Sequence, residues 1–348
     1  MFKVAIITPK EHSDYLVSDV IDGVLDLASS GVQIECRFSK GYPHHFGLQG
    51  DVCELEKKDF IEYARDADII FFGYRYKDAD IDLAKKIDQW HKTVFIDGSE
   101  CKHDKRFDPR IQHNILTDSY DGPGKIQYEM LSKCALYLRR EKPYISGIMP
   151  FPFGIQRRYR VYTPDTRKDI DFVCIFGQDT YPELRAYVKK TLQEFCAKNG
   201  FLCVTSHTKG FGYDSTKEAG REDFYQTLAR ARVGISIGGG GFDTLRFWET
   251  LANNCLLITE RIDIFPPDSQ ALSYNRIFEC NNLYDFMFYF EKLGAFLKAG
   301  YQQSALEEEY QQILTQHSTK QRLTEVLFEL HTRGVIETLP SGLGVERN

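Results

Sequence analysis

The feature that most constrains this chain is a set of short runs that are apolar almost without interruption. FKVAIIT (2–8), IIFFG (69–73), TVFI (93–96) and CLLIT (255–259) show little of the alternation that a strand with one wet face requires. A strand covered on both sides has no such alternation, and strands of that kind belong to parallel sheets flanked by helices. Between the early runs, residues 15–28, 59–65 and 81–90 carry apolar side chains at helical spacing, and residues 32–38 read as a further strand. Strands linked by right-handed helical crossovers build an open, doubly wound α/β domain.

Near Pro143 the pattern changes to a proline-bearing stretch with a basic cluster, Arg157, Arg158 and Arg160, which reads as a linker. A second α/β series follows. Strands are expected at 170–176, 201–206, 233–237, 255–259 and 277–280. Helices are expected at 182–198, ended by Asn199-Gly200, and at 222–232 and 243–253, with continuous helix over 283–333. A length of 348 residues suits two domains. The fold class expected is α/β, two tandem Rossmann-like domains over 1–155 and 165–320, with a C-terminal helical tail over 321–348.

Composition excludes several classes. A net charge of −6 argues against a nucleic-acid binder, which carries a basic face, so no nucleic-acid partner is expected. No apolar run approaches the roughly 18 residues of a membrane span, leaving only peripheral membrane contact. Nine cysteines without a CxxC pair read as reduced thiols, and the opening MFKVAIITPK reads as a first strand rather than a signal peptide. A cytoplasmic location is therefore expected. Cys101 and His103 are two metal-ligand types, too few for a site.

The informative stretch is VGISIGGGGFDTLRFWETLANNCLLITE (233–260). An apolar strand runs into Gly238, Gly239, Gly240 and Gly241 and then into a helix with Asp243 as its expected cap. Glycines let a ligand approach the backbone, and a helix start presents unpaired N–H groups, a combination that suits a phosphate. It is neither GxGxxG nor a P-loop. On a helical wheel Leu245, Phe247, Trp248, Leu251 and Ala252 form one stripe. Arg246, Glu249, Thr250 and Asn253 fall on the other side, expected to face solvent. An Arg there can clamp phosphate oxygens, and a Glu one turn on can accept from ribose hydroxyls. The plain alternative is a surface i,i+3 ion pair.

The block REDFYQTLARARVGISIGGGGFDTLRFWETLANNCLLITE resembles the donor-binding region of GT-B-fold glycosyltransferases. It is nearest the bacterial spore-maturation type and more distantly like exostosins. Arg246, Phe247 and Glu249 match the pattern, NNLYDFMFYFEKL resembles a later acidic-start helix, and ALYLRREKP with IMPFPFGI resembles the domain-closing strand and linker. The resemblance implies transfer of a sugar from a nucleotide-diphosphate sugar, in a cleft between the domains, to a carbohydrate or glycan-lipid acceptor. It implies donor contacts from Gly177, Gly239, Gly240, Gly241, Asp243, Thr244, Arg246 and Glu249. Many retaining members carry a second glutamate eight positions before the one matched here. That position is Gly241, so retaining stereochemistry is not carried over. No cofactor and no metal are expected.

Other constellations compete. GISIG (234–238) spells GxSxG, with His317 and His331 downstream, but a hydrolase elbow puts its serine on a sharp turn directly entering a helix, unlike Ser236. Asp78, Asp80 and Asp82 are spaced like metal-holding carboxylates, or else cap the helix that follows. For a catalytic base the candidates are His12, Asp14, His44, His45, Asp97, Glu100 and Asp118. Asp97 is preferred because it directly ends an apolar strand.

Overall fold

The structure is a computed structural model that describes residues 1–9, 15–39, 53–74, 79–100, 124–177, 182–206, 218–262, 264–266 and 269–344. They fall into two compact units. One takes in the described residues of Met1–Glu100, Asn114–Arg158 and His317–Asn348, the other those of Tyr159–Gln316.

The first unit runs β1 (Phe2–Ile7), α1 (Tyr15–Ser29), β2 (Ile34–Ser39), β3 (Cys53–Leu55), α2 (Lys57–Asp66), β4 (Ile69–Tyr74), α3 (Ile81–Ile87), β5 (Thr93–Asp97), α4 (Tyr128–Lys133), β6 (Leu136–Arg139) and β7 (Ile148–Pro150). Its strands form one sheet in the order β3-β2-β1-β4-β5-β6-β7, every pair parallel. All six residues of β4 are buried, as its unbroken apolar run requires. Helix α3 starts where the Asp80 carboxylate accepts from Leu83 N at 3.0 Å. It stops at Asp88, held at φ 54°, short of the expected end at residue 90.

The second unit runs β8 (Ile170–Val173), α5 (Glu183–Asn199), β9 (Cys203–Val204), α6 (Glu218–Arg230), β10 (Ala231–Ser236), α7 (Leu245–Leu251), β11 (Leu256–Glu260), β12 (Ile277–Cys280), α8 (Leu283–Ala299) and α9 (Glu307–His317). Its five strands, in the order β12-β11-β10-β8-β9, are again all parallel. Phe172, Phe195, Phe201 and Phe290 interlock here with ring centroids 5.5–6.4 Å apart. Gly200 takes φ 73° at the end of α5, the left-handed cap that Asn-Gly foretold.

The single helix expected over 283–333 is broken. Helix α8 ends before Gly300, and Ser318 opens α10 (Thr319–Thr332) by accepting from Gln321 N at 3.2 Å. Helix α10 rests on α1 in the first unit. A Cβ on Gly23 would stand 2.7 Å from the Thr319 carbonyl oxygen, so only glycine lets the two helices approach this closely. Thr319 Oγ1 donates to Asp22 at 2.6 Å, and Asp22 also accepts from Arg157. Neighbouring Asp19 accepts from Gly154 N and Gln156 Nε2. Two buried carboxylates thus bind the end of the linker and the start of α10 to α1. Among the described residues no helix is long and apolar enough to cross a membrane, and Cys36, Cys134, Cys174, Cys196, Cys203, Cys255 and Cys280 stand outside any disulfide.

Candidate functional site

Because every strand of the second unit points the same way, the C-terminal ends of β8, β10 and β11 share one edge, the place where open α/β sheets collect ligands. The chain leaves β8 through Gly177, which is exposed, and leaves β10 through the half-buried Gly239 and Gly240. Arg185, in the first turn of α5, joins the two exits. Its Nε and Nη2 donate to the Ile237 carbonyl at 3.3 and 3.0 Å, and its guanidinium lies 5.0 Å from the Phe176 ring centroid. A Cβ on Gly239 would stand 3.3 Å from Arg185 Nη2, so the glycine leaves room for this cation beside the backbone. At the end of β11 the buried Glu260 carboxylate accepts from Gly238 N at 2.5 Å and fixes the root of the glycine turn. Sequence reasoning missed both residues. Arg185 lies 52 residues before Ile237 and Glu260 lies 22 residues after Gly238, and only the strand order brings them to the glycine turn.

Helix α7 follows the turn and is held close to the sheet. A Cβ on Gly234 in β10 would run into the Thr250 methyl group. Arg246 and Glu249 do pair, Nη1 to Oε2 at 3.0 Å, but the solvent-facing position expected for them is wrong. Arg246 is 8% and Glu249 4% exposed, because α6 covers that side of the helix. The Arg246 guanidinium sits 3.7 Å from the Phe224 ring centroid, and Tyr225 donates to Glu249 Oε1 at 3.3 Å. Burial turns Glu249 from an open ribose acceptor into the partner of a stacked arginine. Asp243 is also not the expected cap. It is buried and accepts from Trp248 Nε1 at 2.9 Å, while Thr244 takes the N-cap position without a side-chain bond. Past the helix, Asn253 accepts from Val161 N and Tyr162 N and donates to Tyr159 O and Glu249 O. Asn254 adopts φ 55°, the left-handed position for which a small residue is the usual choice.

The hydrolase constellation dissolves. Ser236 is fully buried inside β10, paired with Thr259, and the next helix opens only at Leu245. His317 Nδ1 lies 2.9 Å from Arg322 Nη2, and His331 Nδ1 lies 3.2 Å from the Ile336 carbonyl, so neither faces the serine. Asp80 caps α3 and Asp82 is exposed in its first turn. Among the described residues no group of three metal-ligand side chains comes together. Asp97 does not fit a base. It is fully buried, its Oδ2 bonded to the Arg139 guanidinium and, at 2.7 Å, to the Tyr137 hydroxyl, while Oδ1 accepts from Ser99 N at 3.1 Å. Burial and the adjacent carboxylate push the Tyr137 hydroxyl far up from its ordinary range. A carboxylate held this way stabilises the end of the first sheet. Glu100 is tied to Arg140 at 3.1 Å. His12, Asp14, His44, His45, Asp78, Cys101, His103 and Asp118 lie outside the described residues.

No family model matches the chain, and no curated protein does. Solved structures do. An alpha-glucosyltransferase in complex with UDP is similar at a TM-score of 0.57 and 9% identity, covering 95% of this chain and 100% of its own. The alpha-glucosyltransferase in complex with UDP and a 13-mer DNA gives 0.56 at 11% identity, covering 95% and 99%. A glycosyltransferase from Rickettsia africae ESF-5 gives 0.54 at 11%, covering 95% and 98%. That alpha-glucosyltransferase is solved on DNA, so the fold by itself does not exclude a nucleic-acid partner as the net charge was expected to. At such identities the likeness carries the fold, and that fold is the one shared by GT-B glycosyltransferases.

Proposed function

We propose that the protein is a glycosyltransferase that takes its sugar from a nucleoside-diphosphate donor held at the C-terminal edge of the second sheet. The observation that carries this reading is Arg185, whose guanidinium joins the exits of β8 and β10 beside Gly239. Glycine backbone and a fixed guanidinium at a sheet edge are what a diphosphate requires. Similar folds solved with UDP agree with it. Gly177, Gly239, Gly240, Gly241 and Thr244 line the diphosphate. Arg246, stacked on Phe224 and paired with Glu249, adds a second preset cation beside the same turn. In the reaction the bond from the anomeric carbon to the phosphate oxygen breaks and one to an acceptor oxygen forms, the acceptor's hydroxyl proton passing to the released diphosphate or to water. The two arginines take up the charge left on the diphosphate, with no metal assigned to it. A carbohydrate or glycan-lipid hydroxyl is the acceptor in this reading.

Calorimetric titration with UDP and with uridine tests it. UDP binds equally in EDTA and in Mn²⁺. Arg185→Met weakens UDP by about 10- to 100-fold, the loss of charged hydrogen bonds worth about 1.5–3 kcal/mol, and leaves uridine nearly unchanged. UDP binding that needs Mn²⁺, or that ignores Arg185→Met, overturns the assignment.

A further inference from the structure

Helix α8 (LYDFMFYFEKLGAFLKA) is apolar on nearly every side, a composition ordinarily found in enclosed helices. Only one of its faces is enclosed here. Phe286, Phe290, Leu293 and Leu297 pack into the core of the second unit. On the opposite face Tyr284 is 86% and Phe288 58% exposed. At about 100° per residue these two rings share an exposed arc of about 100° with Glu291, Lys292, Ala295 and Ala299. Lys292 Nζ lies 5.7–6.0 Å from the ring centroids of Phe278, Phe288 and Tyr289, so the face is an ordered cluster. Exposed aromatic surface of this kind marks an interaction site.

The sequence of that face is its own complement when reversed. With a two-fold axis between Glu291 and Lys292, an antiparallel copy of α8 sets Tyr284 opposite Ala299, Phe288 opposite Ala295 and Glu291 opposite Lys292. Each large ring meets a bare methyl group, each charge meets its opposite, and every pair occurs twice, as a two-fold interface demands. Alanines at the contact also let the helix axes come close. We propose that this face is a homodimer interface, in which two copies of the chain pack α8 against α8 in antiparallel register. A lipid surface fits less well, because an acidic side chain, Glu291, stands in the middle of the stripe.

Sedimentation equilibrium of the intact chain from about 1 to 100 μM tests this. The wild type self-associates in that range, and Phe288→Glu weakens association at least about tenfold. Glu291→Lys and Lys292→Glu each weaken it, and the double variant E291K/K292E restores it, a recovery that only facing copies produce. All these positions are exposed, so unchanged thermal melts verify the fold; should Phe288→Glu melt early, Ala295→Glu replaces it with the same expected loss. A wild type that stays monomeric throughout overturns the proposal. So does a dimer indifferent to Phe288→Glu, or a double variant no better than its parents. Binding of monomeric wild type to phosphatidylglycerol vesicles, lost in Phe288→Glu, assigns the face to lipid and overturns it as well. None of these outcomes depends on UDP binding.

Discussion

Lys168 is enclosed in the second unit, where its ammonium donates to the Asn253 carbonyl at 2.6 Å, lies 3.7 Å from Cys255 Sγ and sits 4.7 Å from the Tyr162 ring centroid. Burial lowers its pKa from 10.5 to about 8, with the Cys255 sulfur opposing that shift. Below pH 8 the lysine is charged whether the chain is folded or not, and the folded state bears the cost of enclosing the charge. Between pH 8 and 10.5 the folded lysine is neutral while the unfolded one still binds its proton, so its contribution to stability rises with pH. The stability of wild type relative to Lys168→Met should therefore climb by about 3 kcal/mol across that window, read from urea unfolding at each pH. A flat difference would show that the ammonium is not enclosed. The lysine gave no signal in the sequence, because its environment comes from Asn253 and Cys255, far along the chain. Arg246 and Glu249 show the same limit from the other side. Their spacing made the pair legible, but a helical wheel knows only its own helix, and the cover comes from Phe224 and Tyr225.

Helix α7 lies close to β10 because Gly234 leaves room for Thr250. Gly234→Ala should destabilise by about 1–3 kcal/mol through overpacking, and Thr250→Ala should relieve much of that in the double variant. Additive effects in chemical denaturation would mean that the helix does not rest on this glycine. At this scale the sequence was most informative where elements are long or fully enclosed. The unbroken apolar runs at β1, β4, β5 and β11 announced parallel sheets, and Asn199-Gly200 marked the end of α5. Strands of three residues, such as β3 and β7, are too short to show a period. The breaks after Ala299 and His317 escaped notice because the residues around them keep helical apolar spacing. Helix α7 came out shorter than expected, since Asn253 is drawn away to hold the segment from Tyr159 to Tyr162.

The chain passes from the first unit to the second after Arg158 and returns at His317, so the first unit is assembled from separated stretches. Truncation after Gln316 should leave α1 without α10 and uncover Gly23 with its apolar neighbours. Limited proteolysis should then cut the first unit well before the second, whereas equal resistance would show that α10 is dispensable to it. Glycine at position 23 and two acids at 19 and 22 hold that contact, yet no local pattern links residues about three hundred positions apart. During synthesis this arrangement reverses the usual order. Domains generally fold as they emerge, the N-terminal one first. Here the strands made first must wait for a helix translated after the whole second unit, so the later unit is the first able to finish. In a translating cell the early sheet would stand with one flank bare while roughly 160 more residues are added, about 10–30 s at 5–20 residues per second. That interval is when a holdase would find it.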